Sequence, residues 1–264
     1  MLTFDNLIQR SDFVPLLKNI LATLGKEYGM PVDMEFAITL TPASPKPRLQ
    51  FHLLQCRPQS NARGGNVREL PANLSADDKL FVANRMVPQG DAGGIEYIVY
   101  VIPEVYGHLP DPAHRGDIAR IVGRLNKALE GKSFMLIGPG RWGSANVNLG
   151  VPVTYADIFN AKAMIELAVP QQGIVPEPSY GTHFFQDLVE AQIYPVAVYP
   201  GESGDFLNIA FLNSAANGLA ELLPGDAGYA DCLKVIHIPA ERENHKLDLI
   251  MDGTQAVAFF AKTG

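Results

Sequence analysis

The sequence predicts an α/β (or α+β) fold, a mixed sheet with flanking helices, preceded by a helix and a β-hairpin. Three observations predict it. Arg115 to Glu130 places Ile118, Ile121, Val122, Leu125 and Leu129 in one helical stripe, and Gly131 stops it. Phe134-Met135-Leu136-Ile137 follows as an unbroken apolar run, the pattern of a strand buried on both faces. Val32 to Ile38, by contrast, alternates acidic and apolar residues, as a strand with one wet face does.

Taken in order, Ser11 to Glu27 carries Phe13, Leu16, Leu17, Ile20, Leu21 and Leu24 at helical spacing. Ser11 or Asp12 caps its start and Gly25 or Gly29 marks its end. Thr41 to Arg48 holds three prolines and is a loop. Leu49 to Gln55 returns as a strand, so the pair forms a hairpin. Strand side chains repeat every two residues, which puts Asp33 and Glu35 on one face and Gln55 with Arg57 likewise. Asn61 to Asn66 is polar and Gly-rich, a linker that divides the chain into residues 1–60 and 61–264. Leu80 to Met86 and Ile95 to Ile102 are strands joined by a turn over Pro88 to Gly94. The second of these strands, the Arg115 helix and the Phe134 strand make a β-α-β unit, right-handed if its strands are parallel. Pro152 to Leu167 passes for helix or strand, and Val169 to Pro178 is loop or short extended chain. Phe184 to Glu190 is a helix by pattern and Tyr194 to Tyr199 a buried strand. Leu233 to Pro239 and Leu247 to Met251 are strands, with Asp252-Gly253 turning into Ala256 to Phe260.

At 264 residues, 47% hydrophobic and 19% charged, the chain has enough apolar residues for a substantial core. A net charge of −7 argues against nucleic acid as a partner. Positive charge is placed locally, at Arg57, Arg63, Arg68, Arg85 and Arg141, which suits a small anionic or phosphorylated ligand. The two cysteines, Cys56 and Cys232, have no metal or disulfide spacing, and the first residues lack an apolar signal-peptide core. No run approaches the ~18 apolar residues of a membrane span. A cytoplasmic protein without membrane contact is expected.

The chain turns on Gly138-Pro139-Gly140-Arg141-Trp142-Gly143-Ser144. Glycines there free the backbone to approach a ligand, Arg141 brings a planar fork suited to phosphate, and Ser144 adds a hydroxyl. A Gly-rich loop after a buried strand is where an open α/β sheet places its ligand. The alternative is a tight turn whose Arg141 and Trp142 simply pack, and packing is the expectation for Trp142. The string matches neither the Walker A pattern nor GxGxxG. His183 follows Gly181 and Thr182 at a helix start, where free amides favour an anion; a ligand-binding or a structural role is open to it. His52 and His237, each among apolar residues, are expected to be structural. His108, His114 and His245 lack metal spacing, so no zinc is expected.

Pro31-Val32-Asp33-Met34-Glu35-Phe36-Ala37 and Leu53-Leu54-Gln55-Cys56-Arg57-Pro58 together resemble the closing segment of an ATP-grasp domain. The variant is the PEP/pyruvate-binding domain of phosphoenolpyruvate synthase and pyruvate phosphate dikinase. The resemblance implies Mg²⁺ at Glu35 and nucleotide phosphates at Gln55 and Arg57, with ATP as cofactor. It covers about the first sixty residues only, and the family's long preceding portion is absent. Residues 1–60 are thus expected to be an ATP-grasp remnant, and the chain part of a longer protein or a natural remnant. GPGRWGS with the later S-x-G-T-H-F-F-Q is similar to the C-terminal region of the same family's bacterial proteins. More loosely, Gly181-Thr182-His183 before a helix and Tyr194-Pro195-Val196-Ala197-Val198 is similar to the family's swivelling domain, whose histidine carries the phosphoryl group, which implies a catalytic phospho-carrier role for His183. Here the double glycine is lacking, and Phe184 and Phe185 stand where small residues follow that histidine. The implied function is a fragment of an ATP-dependent, phosphoenolpyruvate synthase-like phosphotransferase, inactive as the isolated chain. It would be completed by the missing ATP-grasp portion or by a partner chain supplying it. The alternative is a non-catalytic module that binds a phosphorylated metabolite through the GPGRWGS loop and the GTH helix start. A third possibility is a structural accessory domain packed beside an ATP-grasp partner.

Overall fold

The computed structural model describes residues 4–29, 32–44, 46–58, 68–109, 111–170, 178–179, 182–202 and 204–263. The chain divides into two compact units, Met1–Asn61 and Ala62–Gly264. The expected linker over Asn61 to Asn66 lies outside the described residues, as does Gly181.

The first unit holds α1 (Asp5–Arg10), α2 (Phe13–Tyr28), β1 (Val32–Thr41) and β2 (Arg48–Pro58). Asp12 is at the α2 N-cap, but the Ser11 hydroxyl accepts the capping bond from the Phe13 N–H, at 3.2 Å. Gly29 ends α2 in the left-handed conformation, φ 69°, and donates to the Lys26 carbonyl. β1 and β2 pair antiparallel, and Phe36 stacks on Phe51 across them with Phe13 of α2 against it. The core is thin: among the described residues Val32 is the unit's only buried apolar side chain. His52, expected to be structural, is instead exposed, because its neighbours Leu53 and Leu54 are themselves open to solvent at 44% and 66%.

The second unit is mixed α/β. Its strands are β3 (Lys79–Ala83), β4 (Gln89–Ile95), β5 (Tyr97–Val101), β6 (Phe134–Pro139), β7 (Ala163–Leu167), β8 (Tyr194–Val198), β9 (Phe206–Leu207), β10 (Leu233–His237), β11 (His245–Asp252) and β12 (Ala256–Lys262). The helices are α3 (Pro103–Gly107), α4 (Pro112–Ala128), α5 (His183–Glu190), α6 (Ile209–Ser214), α7 (Leu219–Leu222) and α8 (Ile238–Glu241). One sheet has the order β10-β5-β6-β7-β8, with β5, β6, β7 and β8 parallel and β10 antiparallel. The other, β4-β11-β12-β3-β9, is antiparallel throughout.

Three layers result. One face of the mixed sheet, through Ile98, Met135, Ile137 and Ile165, packs against Phe81, Leu249 and Phe260 of the antiparallel sheet. Its other face, through Val99, Phe134, Leu136 and Met164, is covered by the α4 stripe of Ile118, Ile121, Val122 and Leu125. β6 is buried along its whole length between β5 and β7, as its apolar run predicts. The α4 start is capped by Asp111, whose carboxylate accepts from the Ala113 N–H at 2.8 Å. The ambiguous stretch before Leu167 is resolved as a short 3₁₀ turn at Tyr155–Asp157 followed by β7.

Pro88 to Gly94, expected as a turn, is largely the strand β4. Tertiary contact overrides turn chemistry here: a Cβ on Gly90 would come within 2.5 Å of the Tyr194 ring, and one on Gly93 within 2.9 Å of the Arg68 guanidinium. Glycine in this ladder makes room for close neighbours. His237 is at the rim of β10, where its ring stacks on Tyr97 at 4.5 Å. Among the described residues no helix is long and apolar enough to cross a membrane.

Candidate functional site at the carboxyl ends of the parallel strands

β6, β7 and β8 run parallel, so the segments that follow them emerge at one end of the sheet. Gly138 and Pro139 are still strand; Gly138 is buried, and its absent Cβ leaves space for the Trp142 ring, 2.5 Å from where that atom would be. Gly140 then turns with φ 62° and forms an isolated antiparallel bridge with Gly150. The loop is closed by two further bonds, Arg141 N–H to Leu149 O at 2.7 Å and Gly143 N–H to Val151 O at 2.9 Å. Trp142 is fully buried, so it packs as expected.

The loop abuts the start of α5. Gly143, at φ 72°, rests on the Phe184 ring with no room for a Cβ, and an Arg141 guanidinium nitrogen donates to the Pro178 carbonyl at 3.4 Å. Ser144 accepts from the Asn146 N–H. The Thr182 hydroxyl caps α5, accepting from Phe185 N–H and donating to Ser179 O at 2.7 Å. Gly140, Arg141 and Ser144 are thus on one loop, adjoining the helix that Thr182 starts. The His183 side chain lies outside the described residues.

Two residues that pattern reading passes over join these loops. Glu166, buried in β7, accepts from the Trp142 N–H at 3.0 Å and the Ser179 N–H at 2.7 Å, and the Ser179 hydroxyl also donates to it. Ser179 lies 3.0 Å from the Trp142 carbonyl as well, so its proton has a second acceptor. Burial pushes the Glu166 carboxyl up to about 7, opposed by the Ser179 and Trp142 donors and by the Arg141 charge. A lone acid inside Ala163-Met164-Ile165-Glu166-Leu167 was the available signal. Ser179 offered none.

On the first unit's hairpin, register sets Asp33 opposite Arg57 and Glu35 opposite Gln55, so the four positions are neighbours along the ladder. A bulge follows directly, between Glu35 and Phe36. The Arg57 side chain lies outside the described residues. Two exposed carboxylates suit Mg²⁺, which takes one or two protein oxygens and leaves the rest to phosphates and water. Among the described residues no group of three or more metal-ligating side chains converges. Of the other local cations, Arg68 bridges Asp91 and Asp248, and Arg85 pairs with Glu202 while lying over the Tyr199 ring.

No family model, curated protein or solved structure matches this chain.

Proposed function

We propose that the second unit binds a small phosphorylated metabolite at the carboxyl ends of β6, β7 and β8. One observation carries the reading: the Gly140–Ser144 loop leaves a fully buried interior parallel strand and meets the start of α5 there. Arg141 supplies the cation; the N–H groups of residues 140–143 are already bonded within the fold, so the guanidinium and the start of α5 carry the contact. The helix dipole adds favourable potential for an anion. Glu166 is about half protonated near pH 7 and largely neutral well below it, so it repels such a ligand least at mildly acidic pH. Titration calorimetry with phosphoenolpyruvate should show saturable binding that Arg141→Ala weakens at least tenfold. Equal binding by the variant contradicts the reading.

The hairpin register favours a second reading, a fragment of a phosphoenolpyruvate synthase-like phosphotransferase. In it Glu35 holds Mg²⁺ while Gln55 and Arg57 contact ATP phosphates. Phosphoryl transfer depends on placing many charges at once, so one hairpin supplies binding without turnover. This chain should bind Mg·ATP no better than about millimolar. Arg57→Ala removes a charge-assisted contact of roughly 1.5–3 kcal/mol and should weaken that binding tenfold or more. Glu35→Gln should abolish its magnesium dependence. Unaltered binding in both variants, measured by calorimetry, would sink this reading.

A further inference from the structure

A cavity of about 550 Å³ opens at the amino ends of β7 and β8, the opposite end of the sheet from the Arg141 loop. Its walls are residues 90–93 of β4, the turn 159–162 that leads into β7, Ala191 and Gln192 before β8, and Tyr194 at its start. The volume falls within the ~300–1,000 Å³ of small-molecule sites. Gly90 allows Tyr194 to lie flat against β4 and form one wall.

The lining has a definite chemistry. Its acid, Asp91, already accepts from Arg68 Nε at 2.6 Å. Lys162 is its free cation: the side chain is exposed and makes no ion pair among the described residues. Asn160 directs its amide N–H to the Asn126 carbonyl, and its side-chain oxygen accepts no hydrogen bond among the described residues. Gln192, held at φ 60°, adds a second amide. Phe159 is 46% exposed at the rim, and Tyr155, 41% exposed, is tilted against it at 6.4 Å. Amides bind hydroxyl groups, exposed aromatic faces pack on the C–H face of a sugar ring, and an unpaired ammonium seats one negative charge.

We propose that this cavity binds an acidic monosaccharide, a hydroxylated ring with one carboxylate or phosphate, its charge at Lys162 and its ring on Phe159. This site is separate from the one at Arg141 and does not depend on it. The test is an amide NMR titration of the whole chain with glucose 6-phosphate, glucuronate and glucose. The two acidic sugars should cause saturable shifts at residues 90–93, 159–162 and 191–194, with neutral glucose at least tenfold weaker. The stronger of the two acids identifies the anionic group. Lys162→Met and Phe159→Ala, both at exposed positions, should keep a folded spectrum and lose at least tenfold in affinity, and Arg141→Ala should bind as wild type. No shifts with any probe, glucose binding as tightly as the acids, undiminished binding by Lys162→Met, or shifts confined to residues 140–144 would each overturn the proposal.

Discussion

Replacing Gly150 by alanine should collapse the central loop and cost about 3 kcal/mol or more, the upper range for overpacking a filled site. The added Cβ would be 2.1 Å from the Arg141 carbonyl oxygen, 2.5 Å from its carbon and 2.6 Å from its nitrogen. All three are backbone atoms, so no flexible side chain can yield. The Arg141 peptide must move, and with it go the Arg141–Leu149 bond and the Gly140–Gly150 bridge. Displacing that peptide also unseats Trp142 and the buried bond from the Tyr106 phenol to the Gly150 carbonyl, 2.8 Å. For a chain of this size the melting temperature should fall by about 10 °C. Gly225→Ala, with nothing within 4 Å of the new Cβ, serves as the neutral control. Equal melting of both variants would contradict the packing assigned to the loop.

The second large effect is a loss of stability as pH rises from about 4.5 to about 7. Glu166 has its folded-state value raised from 4.5 to about 7, chiefly by burial. Below about 4.5 the group is protonated in both states and adds no pH dependence. Between 4.5 and 7 the folded state binds more protons, so stability falls as pH rises, and above 7 the loss is complete. Its size is roughly 3 kcal/mol at 1.36 kcal/mol per pKa unit. The geometry accommodates both forms. As a carboxylate, Glu166 accepts from two N–H groups and the Ser179 hydroxyl; once protonated, it can donate to that hydroxyl, which turns to the Trp142 carbonyl. Glu166→Gln removes the titration but leaves one of the two N–H donors without an acceptor, which costs about 1–3 kcal/mol. The variant should therefore be less stable than wild type at pH 5 and equal to it or up to about 2 kcal/mol more stable at pH 8. Parallel stability curves, measured by urea unfolding at each pH, would exclude Glu166 as the titrating group.

Much of the second unit's framework was legible because burial writes itself as pattern. The Phe134 run reads as a strand buried on both faces and is one, and the α4 stripe reads as a face to be buried and covers the mixed sheet. β4 was not legible, since its glycines answer to Tyr194 and Arg68, residues far away in the chain. The candidate site was legible in half: the Gly140–Ser144 loop advertises itself by composition, and Thr182 by its position before a helical pattern. The clamp joining them was hidden, because Glu166 reads as an interruption of β7 and Ser179 as an ordinary loop residue. The 90–93, 159–162 and 191–194 cavity was invisible for a similar reason. It is assembled from three short stretches, none of which carries a motif. On the hairpin, the two-residue period alone placed Asp33 with Glu35, and pairing register then set them against Arg57 and Gln55.

We propose that the Arg141 loop and the α5 start hold a phosphorylated anion. Thermal unfolding in increasing phosphoenolpyruvate, with chloride at matched ionic strength as the reference, tests it most directly. Wild-type protein should gain stability as RT ln(1 + [L]/Kd), about 2.7 kcal/mol at a hundredfold excess over Kd. Arg141→Ala should lose that gain while melting, without ligand, within about 4 °C of wild type, because the half-buried guanidinium gives up its hydrogen bond to the Pro178 carbonyl. A variant that unfolds readily, in a protein whose stability phosphoenolpyruvate leaves unchanged, would show that Arg141 holds the loop together and binds no anion.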